Sequence, residues 1–133
     1  MRIYLSGPMS GLPNFNREQF HAVANELCSR GFDVFNPAEQ RVPGDDWALY
    51  MRQDICWLTV SDMVVLLPGW ETSRGAMIET FLASVLNIPI YIWSWTDGQI
   101  FPAEIDIQSV LKSLGTSMGS FRVPEMLLEG EQP

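Results

Sequence analysis

The sequence predicts a single α/β domain in which a parallel sheet of four to five strands is flanked by helices. Two observations predict it. From Asp62 to Trp93 the chain runs through an apolar stretch, Asp62-Met-Val-Val-Leu-Leu-Pro-Gly69, a loop from Trp70 to Gly75, a helical run from Ala76 to Asn87, and a second apolar stretch from Ile88 to Trp93. Both stretches are continuously apolar rather than alternating, as strands of a parallel sheet covered on both faces are. The rest of the chain repeats the alternation, with short β-prone stretches separated by apolar residues at helical spacing. At 133 residues it is long enough to bury one core, and no repeat or linker divides it.

In order, Arg2-Ile-Tyr-Leu-Ser6 is the first strand, broken by Gly7-Pro8 and again by Gly11-Leu-Pro13. The polar, glycine-punctuated loop that follows sits where ligands bind in open α/β sheets, beyond the carboxyl ends of the strands. It has neither dinucleotide nor P-loop spacing, and its glycines equally serve a turn. Asn14 or Asn16 can cap a helix running to about Arg30, with Phe20, Val23, Ala24, Leu27 and Cys28 as its core stripe. His21, beside that stripe, is expected at a solvated position. Gly31 stands at the C′ position, Phe32 to Phe35 forms a second strand, and Asn36-Pro37 opens a loop through Gly44. Asp45 or Asp46 starts a helix to about Val60 with Trp47, Tyr50, Met51, Ile55 and Leu58 as its apolar side. After Trp93, residues 94–99 are expected as loop, and Pro102 as the first position of a last helix ended by Gly115. The domain is expected over 1–115, and 116–133 as a tail that is mobile or packed on a partner subunit.

Charge narrows the partners. The net charge is −8 with only eight Lys and Arg, which excludes a nucleic-acid polymer, whose backbone requires clustered cations. A single nucleotide remains allowed, since loop amides and helix N-termini hold one phosphate unaided. No apolar run approaches the ~20 residues that span a bilayer. The N-terminus reaches Ser6-Gly7-Pro8 too soon for a signal peptide. Cys28 and Cys56 lack metal-site spacing and read as reduced core thiols of a cytoplasmic protein.

Two acids stand out. Glu79 is the only charged side chain between Arg74 and Asp97. A carboxylate in so apolar a run requires a partner or a cavity. Ser73 is placed to cap its helix, which puts Glu79 in the second turn, where the helix dipole favours the anion by about 0.3–1 kcal/mol. Asp54 lies four residues after Tyr50 and four before Leu58, so it shares their inward face. Trp70, in the loop before the helix, is suited to stacking on a base or to filling a core edge.

These residues carry a family resemblance. Ile3-Tyr-Leu-Ser-Gly7, Gln53-Asp-Ile55, Asp62-Met-Val-Val65 and Ser73-Arg-Gly-Ala-Met-Ile-Glu79 occur in an order that resembles the nucleoside 2-deoxyribosyltransferase-like superfamily. That group holds 2-deoxyribosyltransferases and deoxynucleoside monophosphate N-glycosidases. The likeness is nearest to small bacterial and phage members with a Ser-Gly-Pro-Met loop. It implies a flavodoxin-like or Rossmann-like domain that cleaves the N-glycosidic bond of a 2-deoxynucleoside or its 5′-monophosphate, as hydrolase or transferase. It implies Glu79 as nucleophile, Asp54 as the aspartate that handles the proton on the departing base or orients the sugar, and Tyr4 as the hydroxyl that holds the glutamate. Ser6, Gly7 and Ser73 then fall at the sugar or 5′-phosphate, with Pro8, Met9, Gly69 and Trp70 completing the substrate site. A homodimer or higher homo-oligomer is implied, and the chemistry calls for no metal or organic cofactor. The chain departs from the pattern at Phe81, where members usually carry glycine, and at Arg74-Gly75. The alternative is a non-catalytic nucleotide-binding or sequestering protein on the same fold.

Overall fold

The computed structural model describes residues 1–118, with side chains through 115. Its elements are β1 (Arg2–Ser6), α1 (Arg17–Ser29), β2 (Asp33–Phe35), α2 (Trp47–Thr59), β3 (Met63–Leu66), α3 (Arg74–Val85), β4 (Ile90–Ser94), β5 (Gln99–Pro102) and α4 (Ile107–Met118). The strand order is β2-β1-β3-β4-β5. The first four strands are parallel and β5 is antiparallel to β4. The chain therefore leaves β1 toward one edge and returns on its other side as β3. This is the doubly wound, flavodoxin-like arrangement, whose switch point lies between β1 and β3, at the carboxyl ends where Ser6 pairs with Leu66.

Alternation along the central strands assigns the two faces. Ile3, Leu5, Met63 and Val65 pack with Phe20, Val23 and Leu27 of α1 and with Trp93. Tyr4, Val64 and Leu66 point the other way, onto Leu58 of α2 and Ala83 of α3. Each such buried side chain contributes about 1.5–3 kcal/mol. On the second face the Tyr4 ring stacks on Phe35 at 5.5 Å, and Phe35 stacks on Trp57 at 4.6 Å.

The caps form as the residue types dictate. Asp46 accepts from the backbone N–H groups of Ala48 and Leu49, and Ser73 from that of Ala76. Gly31, with φ of 92°, follows α1. Asn16 precedes α1 without capping it: its side-chain amide donates to the Pro8 carbonyl at 2.9 Å.

Several expectations are corrected. Residues 95–98 form a hairpin turn, with Gly98 at φ of 60°, and Pro102 ends the antiparallel edge strand β5 rather than starting a helix. An edge strand tolerates proline because no further strand requires its N–H. Asp106 caps α4 instead, accepting from Gln108 and Ser109, and that helix passes through Gly115 to Met118. The tail expected over 116–133 lies outside the described residues except for these last helical positions. Cys28 and Cys56 are exposed thiols, not core ones; Cys28 falls one position beyond the stripe that Leu27 completes. His21 is half-buried rather than solvated. Asn36 Oδ1 accepts from Ala38 N–H, which turns its Nδ2 toward His21 Nδ1 at 3.1 Å, so that nitrogen accepts. Among the described residues no helix is long and apolar enough to cross a membrane.

Candidate active site

Both acids meet at the switch point. Tyr4 and Ser6 are two apart on β1, hence on one face, and that face looks at α3. The Tyr4 hydroxyl donates to Glu79 Oε2, and Ser6 Oγ donates to Oε1 at 2.9 Å. Both carboxyl oxygens of Glu79 are therefore engaged while the residue is 5% exposed. Asp54 reaches the same hollow from α2, which packs beside α3. It is 8% exposed, and its Oδ1 has no hydrogen-bond partner among the described residues.

Two glycines permit this approach. A Cβ on Gly75 would lie 3.1 Å from Met51 Sδ, so glycine lets the first turn of α3 close onto α2. A Cβ on Gly7 would lie 2.8 Å from Leu67 Cβ, where the end of β1 crosses the end of β3.

The hollow has a volume of about 120 Å³. Of the residues singled out in the sequence, Gly7, Met9, Ser73, Asp54 and Glu79 line it. Other expected residues lie elsewhere. Ser6 is fully buried behind Glu79 and reaches no ligand space. Pro8 borders a second hollow that shares Ser10, Trp47, Ser73 and Gly75 with the first. Gly69 is exposed at φ of 92°, and Trp70 packs against the Tyr4–Val64–Leu66 cluster. Neither is a lining residue, nor is Phe81.

Sequence reasoning missed Phe15, Arg17, Gln40, Asp45, Trp47 and Tyr50 as lining residues. Tyr50 was within reach, since it precedes Asp54 by one helical turn and must share its outlook. Asn14, Phe15 and Asn16 all have positive φ, of 49°, 54° and 59°. Asparagine enters this region more readily than most residues, but as single residues, and a phenylalanine between two of them gives no signal for three in succession.

The electrostatics follow from burial. Desolvation pushes Asp54 from 3.8 up to about 7. Desolvation likewise pushes Glu79 from 4.5 up to about 8, against the donated bonds from Tyr4 and Ser6, and the nearby Asp54 adds to the rise. Burial and the two acids hold the Tyr4 phenol well above its ordinary value, so it remains a donor. The dipole-favoured anion expected for Glu79 is thus outweighed. Glu79 is six residues past the Ser73 cap, and the dipole effect fades after the first turn. The two carboxyls form a coupled pair that holds protons near neutrality.

Comparison with known proteins bears on the fold. A solved 2-deoxyribosyltransferase from the psychrotolerant bacterium Bacillus psychrosaccharolyticus superposes with a TM-score of 0.60. The match is 18% identical in sequence and covers 86% of this chain and 82% of that one. At that identity it establishes a shared fold. No curated protein matches the chain in sequence. A protein-family model described as "Domain of unknown function (DUF4406)" matches residues 1–92, the span from β1 through most of β4 that holds both acids and their donors, and the chain belongs to that family.

Proposed function

We propose that this protein cleaves the N-glycosidic bond of a 2-deoxynucleoside or its 5′-monophosphate, with Glu79 as nucleophile. The observation that carries the reading is a buried glutamate whose two oxygens each receive a hydroxyl donor and which shares one hollow with a second buried acid. Breaking this bond generates positive charge at the anomeric carbon and negative charge on the departing base. A carboxylate on one side and a proton source on the other answer both, the division of labour that glycosidases use.

Burial leaves Glu79 the weaker acid of the two, so the reactive form is the minor arrangement in which the charge is on Glu79, supported there by the donors Tyr4 and Ser6. The proton then sits on Asp54. Glu79 forms a bond to the anomeric carbon as the carbon–nitrogen bond breaks, and Asp54 gives its proton to the leaving base. Water then attacks the same carbon, returns a proton to Asp54 and frees the Glu79 carboxylate. A second base in place of water gives transfer instead of hydrolysis. Tyr4 and Ser6 position the nucleophile. The amides at the start of α3, capped by Ser73, suit a 5′-phosphate.

The test is chromatography of free base after incubation with a panel of deoxyribonucleosides and their monophosphates. At least one is expected to release base, and Glu79→Gln to release none. Release at an undiminished rate by clean Glu79→Gln protein would rule out the covalent route.

A further inference from the structure

The same hollow contains a feature that the bond-breaking chemistry leaves unused. Arg17, at the first position of α1, lines it. Its Nη1 reaches Asn14 Oδ1 at 3.3 Å, and its guanidinium lies 4.9 Å over the Phe15 ring. Its Nε–H is buried with no acceptor among the described residues. In a planar guanidinium one N–H of the adjacent Nη2 runs parallel to Nε–H, so that edge is a two-pronged donor. A buried donor left without an acceptor is costly, which makes the unanswered Nε–H of Arg17, on a cavity wall, a sign of something it is built to hold.

The backbone that presents Arg17 is itself strained. Asn14, Phe15 and Asn16 all sit in the left-handed region, which non-glycine residues rarely occupy in succession. Buried Asn16 holds the turn by donating to the Pro8 carbonyl, and Asn14 bonds Glu18 at 3.2 Å. The result is a fixed turn that sets Phe15, 44% exposed, and Arg17 side by side on the cavity wall.

The surroundings choose between the ligands that a two-pronged donor accepts. A phosphate or carboxylate fits the fork, but Asp45, Asp54 and Glu79 line the hollow and, among the described residues, Arg17 is its one cationic lining residue. An anion at the fork would meet Asp45 and the charge that the other two acids share. The remaining wall offers the aromatic rings of Phe15, Trp47 and Tyr50, which favour a flat, uncharged ring system. A neutral planar ring with two adjacent acceptors on one edge is a 6-oxopurine, whose O6 and N7 match a guanidinium fork. Adenine offers a donor where O6 would be, and in uracil and thymine an N–H separates the two carbonyls; cytosine pairs O2 with N3, but on the edge beside the glycosidic nitrogen rather than away from the sugar.

We propose that Arg17 and the Phe15 ring form a base-recognition subsite for a 6-oxopurine, guanine or hypoxanthine, on the wall of the hollow that Asp54 also lines. The subsite rests on the nucleoside reading above and gives it a substrate class. The base would lie where Asp54 hands over its proton.

Calorimetric titration with the free bases tests this without turnover, because hypoxanthine and adenine share N7 and differ at the 6-substituent and in the proton on N1. The native protein is expected to bind hypoxanthine at least about tenfold more tightly than adenine, the order of one bidentate guanidinium contact. Arg17→Ala should erase that preference, with hypoxanthine binding falling further than adenine binding, while the circular dichroism spectrum stays native. Arg17→Lys, which keeps the charge without the fork, should lose most of the preference. Equal affinities in the native protein, no binding of either base, or a preference that survives in Arg17→Ala would each overturn the proposal. A base-release assay run beside it separates the two readings. Release without oxopurine preference leaves the glycosidic chemistry and removes the subsite. Preference without release from any nucleoside does the reverse.

Discussion

The two faces of the sheet share the same strands and are built for different ends. Toward α1, Ile3 and Leu5 of β1 enter an apolar cluster with Phe20, Val23, Leu27 and Val65. Toward α2 and α3, the alternate residues Tyr4 and Ser6 face Glu79, with Asp54 beside it. Moving one residue along β1 thus crosses from a face that only lowers the free energy of folding to one that holds two acids out of water at a cost. The first face supplies the stability that lets the second carry the strain of a site.

Substitutions on either side sharpen that contrast. The largest expected effect is on chemistry: Glu79→Gln should reduce base release by at least about 10³-fold, since covalent catalysis is lost outright. Circular dichroism of the same variant should be native, and an unfolded spectrum would mean that Glu79 serves the fold instead. On the other face, Leu5→Ala should cost about 2–5 kcal/mol in denaturant unfolding, whereas Ser6→Ala, its neighbour, should cost far less and act on activity. Equal losses at both positions would break the distinction between the faces.

The pH dependence of stability is the next effect in size. Both acids are raised on folding, Asp54 from 3.8 to about 7 and Glu79 from 4.5 to about 8. The folded state binds more protons than the unfolded state between those limits. The stabilisation from this source is therefore fully present below about pH 4 and lost as pH rises to about 8, on the order of a few kcal/mol. Melting temperatures should fall across that window, and the fall should be shallower in Asp54→Asn. A flat profile in the native protein would mean that the acids are solvated.

Tyr4→Phe is the subtlest change. It removes a donor that lowers the Glu79 value, so the acidic limb of the rate profile should move to higher pH. The accompanying loss of rate should be about ten- to a hundredfold. Slower turnover with an unmoved limb would assign Tyr4 to packing alone.

What was legible in the sequence follows the same divide. The parallel strands declare themselves by continuous apolar runs, the helices by their caps at Asp46 and Ser73, and Glu79 by being the lone charge in its stretch. Each of these signals is local. The hairpin at 95–98 has a local signal too, Asp97-Gly98, but Pro102 reads equally as a helix start, and only the edge position of β5 decides between them. The protonation of Glu79 is not local: it depends on how much water α2 and β1 exclude, which no spacing reports. Arg17 and Phe15 enter the cavity through three left-handed residues whose conformation is set by Asn16 reaching back to Pro8. A side chain eight residues from its partner fixes that turn, and neither asparagine nor phenylalanine forecasts it.

The sheet's outer margins carry a consequence of their own. β2 is three residues long, and β5 is four, ending in a proline that has no N–H to offer. Neither rim presents the long unpaired ladder that an incoming strand would need. Copies of this chain have little footing for adding strand to strand, so growth into fibrils through the native fold is blunted at both ends, and any association between folded copies falls to the helical flanks.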